Sequence, residues 1–312
     1  MAEKEMRAVY SQTLIELAEK NENIVILEAD LMKATGTASF KSRFPERTFN
    51  VGVAEANMVG TAAGLSASGK TPFASSFACF SARRAYDQFF VSANYAKLNV
   101  KLIGTDPGVS AAFNGGTHMS FEDLGIMRNI PKLTVIEPSD PISLKAIIEL
   151  MANNYGNVYM RLFRKPALEL YPENEKFEIG KGKVLADGND VTIIACGVIL
   201  VNEALRAKKL LEEKGISAAV IDMFTIKPLD CELVLKYARK TRAIVTCENH
   251  QIVNGLGSAV AECLSENLPT KMKRIGINDE FGQVGTQEYL MNHFGLTAEN
   301  IVEKTIELLK NK

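Results

Sequence analysis

Two observations predict an α/β fold made of two doubly wound, mostly parallel-sheet domains. Short apolar runs alternate with segments of helical period along nearly the whole 312-residue chain, the pattern of parallel strands covered on both faces by helices. A single stretch rich in Pro, Gly and charge, 166–188, interrupts the alternation, which then resumes. The expected organisation is a domain at 1–165, a linker at 166–188 and a second domain at 189–312, with length enough for a core in each.

Taken in order, an amphipathic helix over about residues 4–19 leads into an apolar strand at 24–27, which ends in Glu28-Ala29-Asp30. Strand patterns follow at 48–51, 72–75, 100–104, 133–136 and 158–161, with helical patterns at 55–68, 81–95 and 141–152. Beyond the linker, strands at 191–195, 218–221, 243–246 and 273–277 alternate with helices at 200–214 and 231–238 and one ending near Leu264. That last helix is entered through the glycine loop 254–257, a weak phosphate signal taken alone.

Composition works by exclusion. Lys plus Arg is 36 and Asp plus Glu is 37, so a net charge of −1 offers no electrostatic case for nucleic acid or an anionic membrane. The five cysteines are scattered and never form a CxxC, and with three histidines no metal-ligand cluster is expected. The N-terminal stretch is charged rather than signal-like, and the longest mostly apolar run, 191–201, is too short to cross a bilayer. A reduced, soluble, cytoplasmic protein with no membrane partner is the expectation.

The chemistry concentrates around Glu55, at a strand-to-helix junction. An acidic residue in a first helical turn is favoured by the macrodipole, which is the plain reading. The helix that follows is almost all small or apolar, so it is expected to be buried on nearly every side. A glutamate entering such a helix is a candidate for a desolvated, tuned acid. His118 ends the glycine loop FNGGTH, where the backbone can approach a ligand closely and an imidazole can move protons near neutral pH.

The order GVAEA (52–56), small-residue helix, PFASSFACF (72–80) and RAYDQ (84–88) resembles the pyrimidine-binding half of the transketolase family. It is similar as well to that region of 1-deoxyxylulose-5-phosphate synthase. The likeness continues into the C-terminal domain and covers the chain, making 1–165 a pyrimidine-binding domain. It implies thiamine diphosphate as cofactor, with Glu55 hydrogen-bonded to its pyrimidine and Phe77 and Phe80 as an apolar wall. Asp30 matches a cofactor-pocket aspartate. His118 and Asn114 would contact substrate, and Arg7 and Arg164 fall where the family grips a phosphate.

Departures from the family are informative. Asn114 replaces an Asp and Gly116 a Pro in the family's DGPTH. Ala34 stands for a phosphate-binding serine, Thr105 or Asp106 for a histidine, and Arg83 for a tyrosine. Sugar-phosphate binding is therefore expected to be altered. His250 and His293 read as structural, and Cys79 as packing.

The family's first domain, which binds the diphosphate, has no counterpart here. Asp187-Gly188 imitates part of its metal motif but lies in the linker with no Asn pair following at the motif's spacing. The resemblance thus implies the C-terminal subunit of a split transketolase. A companion N-terminal subunit would ligate Mg2+ (or Ca2+), and the assembly would be α2β2. The expected activity moves a two-carbon ketol unit from a ketose phosphate to an aldose phosphate, as in the pentose phosphate pathway. Rival readings are the β subunit of a 2-oxo-acid dehydrogenase decarboxylase component, which lacks the GGTH loop, and a deoxyxylulose-phosphate synthase-like enzyme, normally one long chain. A non-catalytic binding or regulatory subunit would fit the altered phosphate positions, and the intact Glu55 argues against it.

Overall fold

The computed structural model describes residues 3–310. Its first sheet has seven strands in the spatial order Thr225–Lys227, Thr134–Ile136, Val158–Leu162, Lys101–Thr105, Thr71–Phe77, Ile24–Glu28, Thr48–Asn50. All neighbours run parallel except the edge strand Thr225–Lys227, which is antiparallel. The second sheet is ordered Lys271–Ile277, Ala243–Gln251, Val191–Ala195, Ala218–Asp222, Lys183–Ala186, with only the last antiparallel. Central strands such as Ile24–Glu28 and Val191–Ala195 are buried at every residue because helices cover both faces, so their sequences are mostly apolar, with Glu28 and Thr192 the buried polar exceptions.

In the first sheet the strand order reverses between Ile24–Glu28 and Thr71–Phe77. The crevice outside the carboxyl ends of such strands is where open α/β sheets bind ligands. Glu55, Phe77, Asp106, Arg164 and Asp30 all leave strands at that edge.

Four local expectations are corrected. The helix Glu55–Ala67 is not buried all round: it buries Glu55, Met58, Val59, Ala62, Ala63 and Ser66, while Asn57, Gly60 and Gly64 are bare on the opposite face. Small residues blur the apolar stripe, so the sequence hid the exposed side. The helix expected over 81–95 breaks into Ala78–Arg83, Tyr86–Gln88 and a π-helical turn, Phe89–Tyr95. There the Asn94 side chain inserts into the ladder, its Nδ2 donating to the Phe89 carbonyl at 2.7 Å.

The first helix begins later than expected, at Met6, because Glu3–Glu5 is a strand paired antiparallel with Pro166–Leu168. That pairing continues into Met6 N–H to Lys165 O and Arg7 N–H to Arg164 O, which sets Arg7 beside Arg164. Finally, the stretch 166–188 is partly regular, since Lys183–Ala186 joins the edge of the second sheet. Asp187 within it is held by Lys240 (2.6 Å) and Tyr237 (3.1 Å), and Gly188 lies against the Ala218 backbone, so this Asp-Gly is a packed turn.

The halves are joined by a fully buried charged seam. Arg161 forms a bidentate pair with Asp123 and bonds Glu137 (3.2 Å) and the carbonyl of Asn249 (3.1 Å). Tyr159 donates to Asp123 at 2.6 Å, and Glu137 also accepts from the Cys196 thiol. The guanidinium holds Asp123 down to about 2, while burial pushes Glu137 up.

Candidate active site

Glu55 opens its helix only 4% exposed, just beyond the carboxyl end of the strand Thr48–Asn50. Its carboxylate accepts from Arg84 Nη1 at 3.2 and 3.4 Å, and the Arg84 guanidinium lies 3.8 Å above the Phe80 ring. Phe80 and Phe77 are 5.9 Å apart, and His118 meets both edge-on, at 5.2 and 6.1 Å. The structure therefore brings Glu55, Phe77, Phe80 and His118 into one wall. Cys79, between the two phenylalanines, is fully buried and its thiol is pushed up to about 11 by burial.

This arrangement offers a direct test of fit for an aminopyrimidine. A planar, cationic group that donates N–H protons already stacks on Phe80 and bonds Glu55: the guanidinium of Arg84. A protonated aminopyrimidine presents the same planarity, charge and donors, so the residues present fit that ring.

The loop that carries His118 is positioned mainly by the C-terminal half. The Asn249 side chain accepts from Val109 N–H at 3.0 Å and donates to the Pro107 carbonyl at 3.0 Å. Gly108, at φ +57°, allows this approach, because a Cβ there would fall 2.1 Å from the Asn249 amide. Gly116 lies against the backbone of Gly282, where a Cβ would sit 2.1 Å from the carbonyl oxygen, which explains a glycine where the family carries proline. Arg83 donates to the Thr117 carbonyl at 2.9 Å and pairs with Glu122, and Thr117 Oγ1 lies 3.0 Å from His118 Nδ1. Asn114 ends the 3-10 segment Gly108–Asn114 and is exposed at the rim.

A cationic flank adjoins Phe77. Arg164 lies 5.7 Å from the Phe77 ring and pairs through Nε with Asp106 at 2.7 Å. Asp106 is 1% exposed, adopts φ +54°, and is pushed up to about 6 by burial in spite of Arg164, Lys165 and Arg7. Arg7 is tied to Glu5 (2.7 Å) and lies 3.4 Å from the carbonyls of Lys33 and Ala34. Of the two positions that stand for the family's histidine, Thr105 is fully buried in its strand and Asp106 meets Arg164. Asp30 is set apart from this flank: at φ +64° it exchanges hydrogen bonds with Asn50 at 3.0 and 3.1 Å and is exposed.

Sequence reasoning missed three features. Arg84 lies inside the motif RAYDQ, and a charged side chain four residues after Phe80, one helical turn on, is the signal that could have found it. Arg161 interrupts an apolar strand, VYMRL, which marks a buried cation needing partners. Glu248 follows another apolar run; its carboxylate caps the helix Leu256–Asn267 by accepting from Leu256 and Gly257 N–H at 2.7 and 2.8 Å. The glycine loop 254–257 is thus already filled by a side-chain anion. His250 is fully buried, accepts from Gly125 N–H and lies 2.7 Å from the Gln251 carbonyl. His293 lies between Gln283 (2.8 Å) and Glu280 (3.7 Å) on the surface.

Comparison with known families matches residues 2–167 to "Transketolase, pyrimidine binding domain" and 180–301 to "Transketolase, C-terminal domain". A relative from Clostridium sp. (strain MSTE9), described as a 6-deoxy-6-sulfo-D-fructose transketolase subunit, is 50% identical over 98% of this chain and 95% of its own. A putative transketolase C-terminal section from Methanocaldococcus jannaschii is 47% identical over 99% and 98% of the two chains. Among solved structures, a split-gene transketolase described as an inactive β4 tetramer superposes with a TM-score of 0.91, at 45% identity, covering 98% of both chains.

Proposed function

We propose, for a chain that belongs to the transketolase family as the C-terminal subunit of a split transketolase, that it supplies the pyrimidine side of a thiamine diphosphate-dependent ketol transferase. The observation that carries this reading is the Glu55–Arg84–Phe80 triple, a buried acceptor beneath a stacked planar cation. Thiamine diphosphate, when bound there, would supply a carbon nucleophile for two-carbon transfer. Glu55 holds a proton at the pyrimidine ring nitrogen, and Phe77 and Phe80 exclude water from that contact. His118 moves a proton at the substrate's carbonyl or hydroxyl oxygen, and Asn114 holds a donor hydroxyl from the rim. Arg7 and Arg164 hold the distal charged end of the sugar.

The diphosphate and Mg2+ ligands are assigned to the companion N-terminal subunit. The bare face of Asn57, Gly60 and Gly64 supports close docking of another chain beside Glu55. The proposed active form is α2β2, and this chain alone is proposed to assemble without activity, as the β4 relative's description suggests. Because a 50% identical relative is described as acting on a sulfofructose, the reading takes a specialised ketose as donor in place of a pentose-phosphate-pathway sugar. The five cysteines are all free, which supports a cytoplasmic setting, and no helix among the described residues is long and apolar enough to cross a membrane.

The test is to purify this chain alone and with its companion, add thiamine diphosphate and Mg2+, and follow two-carbon transfer between sugars. Transfer by the pair and none by the chain alone is the expected result. Transfer by the isolated chain, or none by a correctly assembled and cofactor-loaded pair over a panel of ketose donors, would overturn the proposal.

A further inference from the structure

The cationic flank contains a charge that a phosphate site has no use for. Arg7, Arg164 and Lys165 converge where Glu3–Glu5 pairs with Pro166–Leu168, next to Phe77 and hence on the same wall as His118. Two carboxylates oppose these three cations: Glu5, bound to Arg7, and Asp106, bound to Arg164. One positive charge is left over. Lys165 also bonds Gln287 Oε1 at 3.0 Å, and burial pushes its ammonium down, so it is the weakest of the three cations.

Asp106 is not a surface counter-ion. It sits 1% exposed just beyond the strand Lys101–Thr105, in a left-handed conformation that costs a non-glycine residue energy, and its carboxylate receives no hydrogen bond beyond the Arg164 pair. A buried anion held in that way is poorly screened, and any second anion bound by Arg164 meets it directly.

We propose that Asp106 is a specificity-determining residue that makes this flank a site for a monoanionic sugar terminus, a sulfonate, in preference to a phosphate dianion. A sulfonate offers three acceptor oxygens to the guanidinium groups while bringing a single charge, which the surplus cation balances. A phosphate ester carries about −1.5 to −2 near neutral pH, and the excess falls against the Asp106 carboxylate. The relative described as a sulfofructose transketolase subunit acts on a donor of the class this flank would select.

The proposal rests on the ketol-transfer reading for the identity of the sugar, and the test separates the two. Binding of 6-deoxy-6-sulfofructose and of fructose 6-phosphate to the assembled pair is measured by calorimetry at pH 8, beside transfer kinetics with both donors. The expected result is tighter binding of the sulfonate by about tenfold or more, with the kinetic preference expressed mainly in KM. Asp106→Asn keeps the size and the tolerance of positive φ, and is expected to shift the ratio toward phosphate by about tenfold. Equal binding, or a preference for phosphate in the wild-type pair, overturns the assignment whether or not the variant folds. So does an unchanged ratio in a variant of unchanged melting temperature. Should neither sugar be turned over while the binding preference and its dependence on Asp106 persist, the transfer reading fails and the assignment of Asp106 stands.

Discussion

The seam between the halves and the crevice at the strand ends both place charges out of water, in opposite manners. In the seam, Arg161 is closed on every side by Asp123, Glu137 and the carbonyls of Asn249 and Ser120, with Tyr159 and Cys196 completing the carboxylates. In the crevice, Glu55 is buried but its partner Arg84 is half exposed, and Arg164 shields Asp106 from one side. The first is a finished structural joint. The second leaves its cations partly open to solvent, as the proposed binding of a ligand and a companion subunit requires.

Breaking the seam should have the largest effect. Arg161→Met strands Asp123 and Glu137 in a low-dielectric interior and should cost about 3–5 kcal/mol, read as a drop in the denaturant midpoint. His250, packed in the same seam, is pushed down to about 4 by burial, from an ordinary value of 6.5. The unfolded chain therefore takes up its proton at higher pH than the folded one. The stability it contributes is full above pH 6.5 and is lost as pH falls toward 4, by up to about 3 kcal/mol. Glu248, Asp222 and Glu28, each raised to about 7 by burial, slope the opposite way over this range, so wild type must be compared with His250→Gln. The stability gap between the two should close as the medium is acidified; a constant gap would contradict the assignment.

The crevice should respond in function. His118→Asn should lower kcat about 100-fold or more in the assembled enzyme, with little change in melting temperature. The smallest effect is expected at the half-exposed Arg83–Glu122 pair, where Arg83→Met should alter stability by about 1 kcal/mol or less. A loss as large as that at Arg161 would erase the distinction between the two regions.

What the sequence made legible follows the same division. Glu55, Phe77, Phe80 and His118 belong to short motifs whose spacing survives in a linear reading, and the alternation of strands and helices carried the fold class. Contacts between distant segments were invisible: Asn249 shapes the turn at Gly108, and the strand Thr225–Lys227 crosses to close the first sheet. The bare face of the Glu55 helix was also hidden, because Gly and Ala give little contrast between a packed side and one left open.

Glu55 is proposed to do its work on a pyrimidine ring in a site completed by a companion chain. The most direct measurement is deuterium exchange of the reactive cofactor proton in the assembled pair, wild type against Glu55→Gln, with cofactor affinity and assembly recorded on the same samples. The expected result is exchange slowed by about 10²- to 10⁴-fold in a variant that still assembles. Exchange at the wild-type rate in an assembled, cofactor-loaded Glu55→Gln pair would contradict the claim.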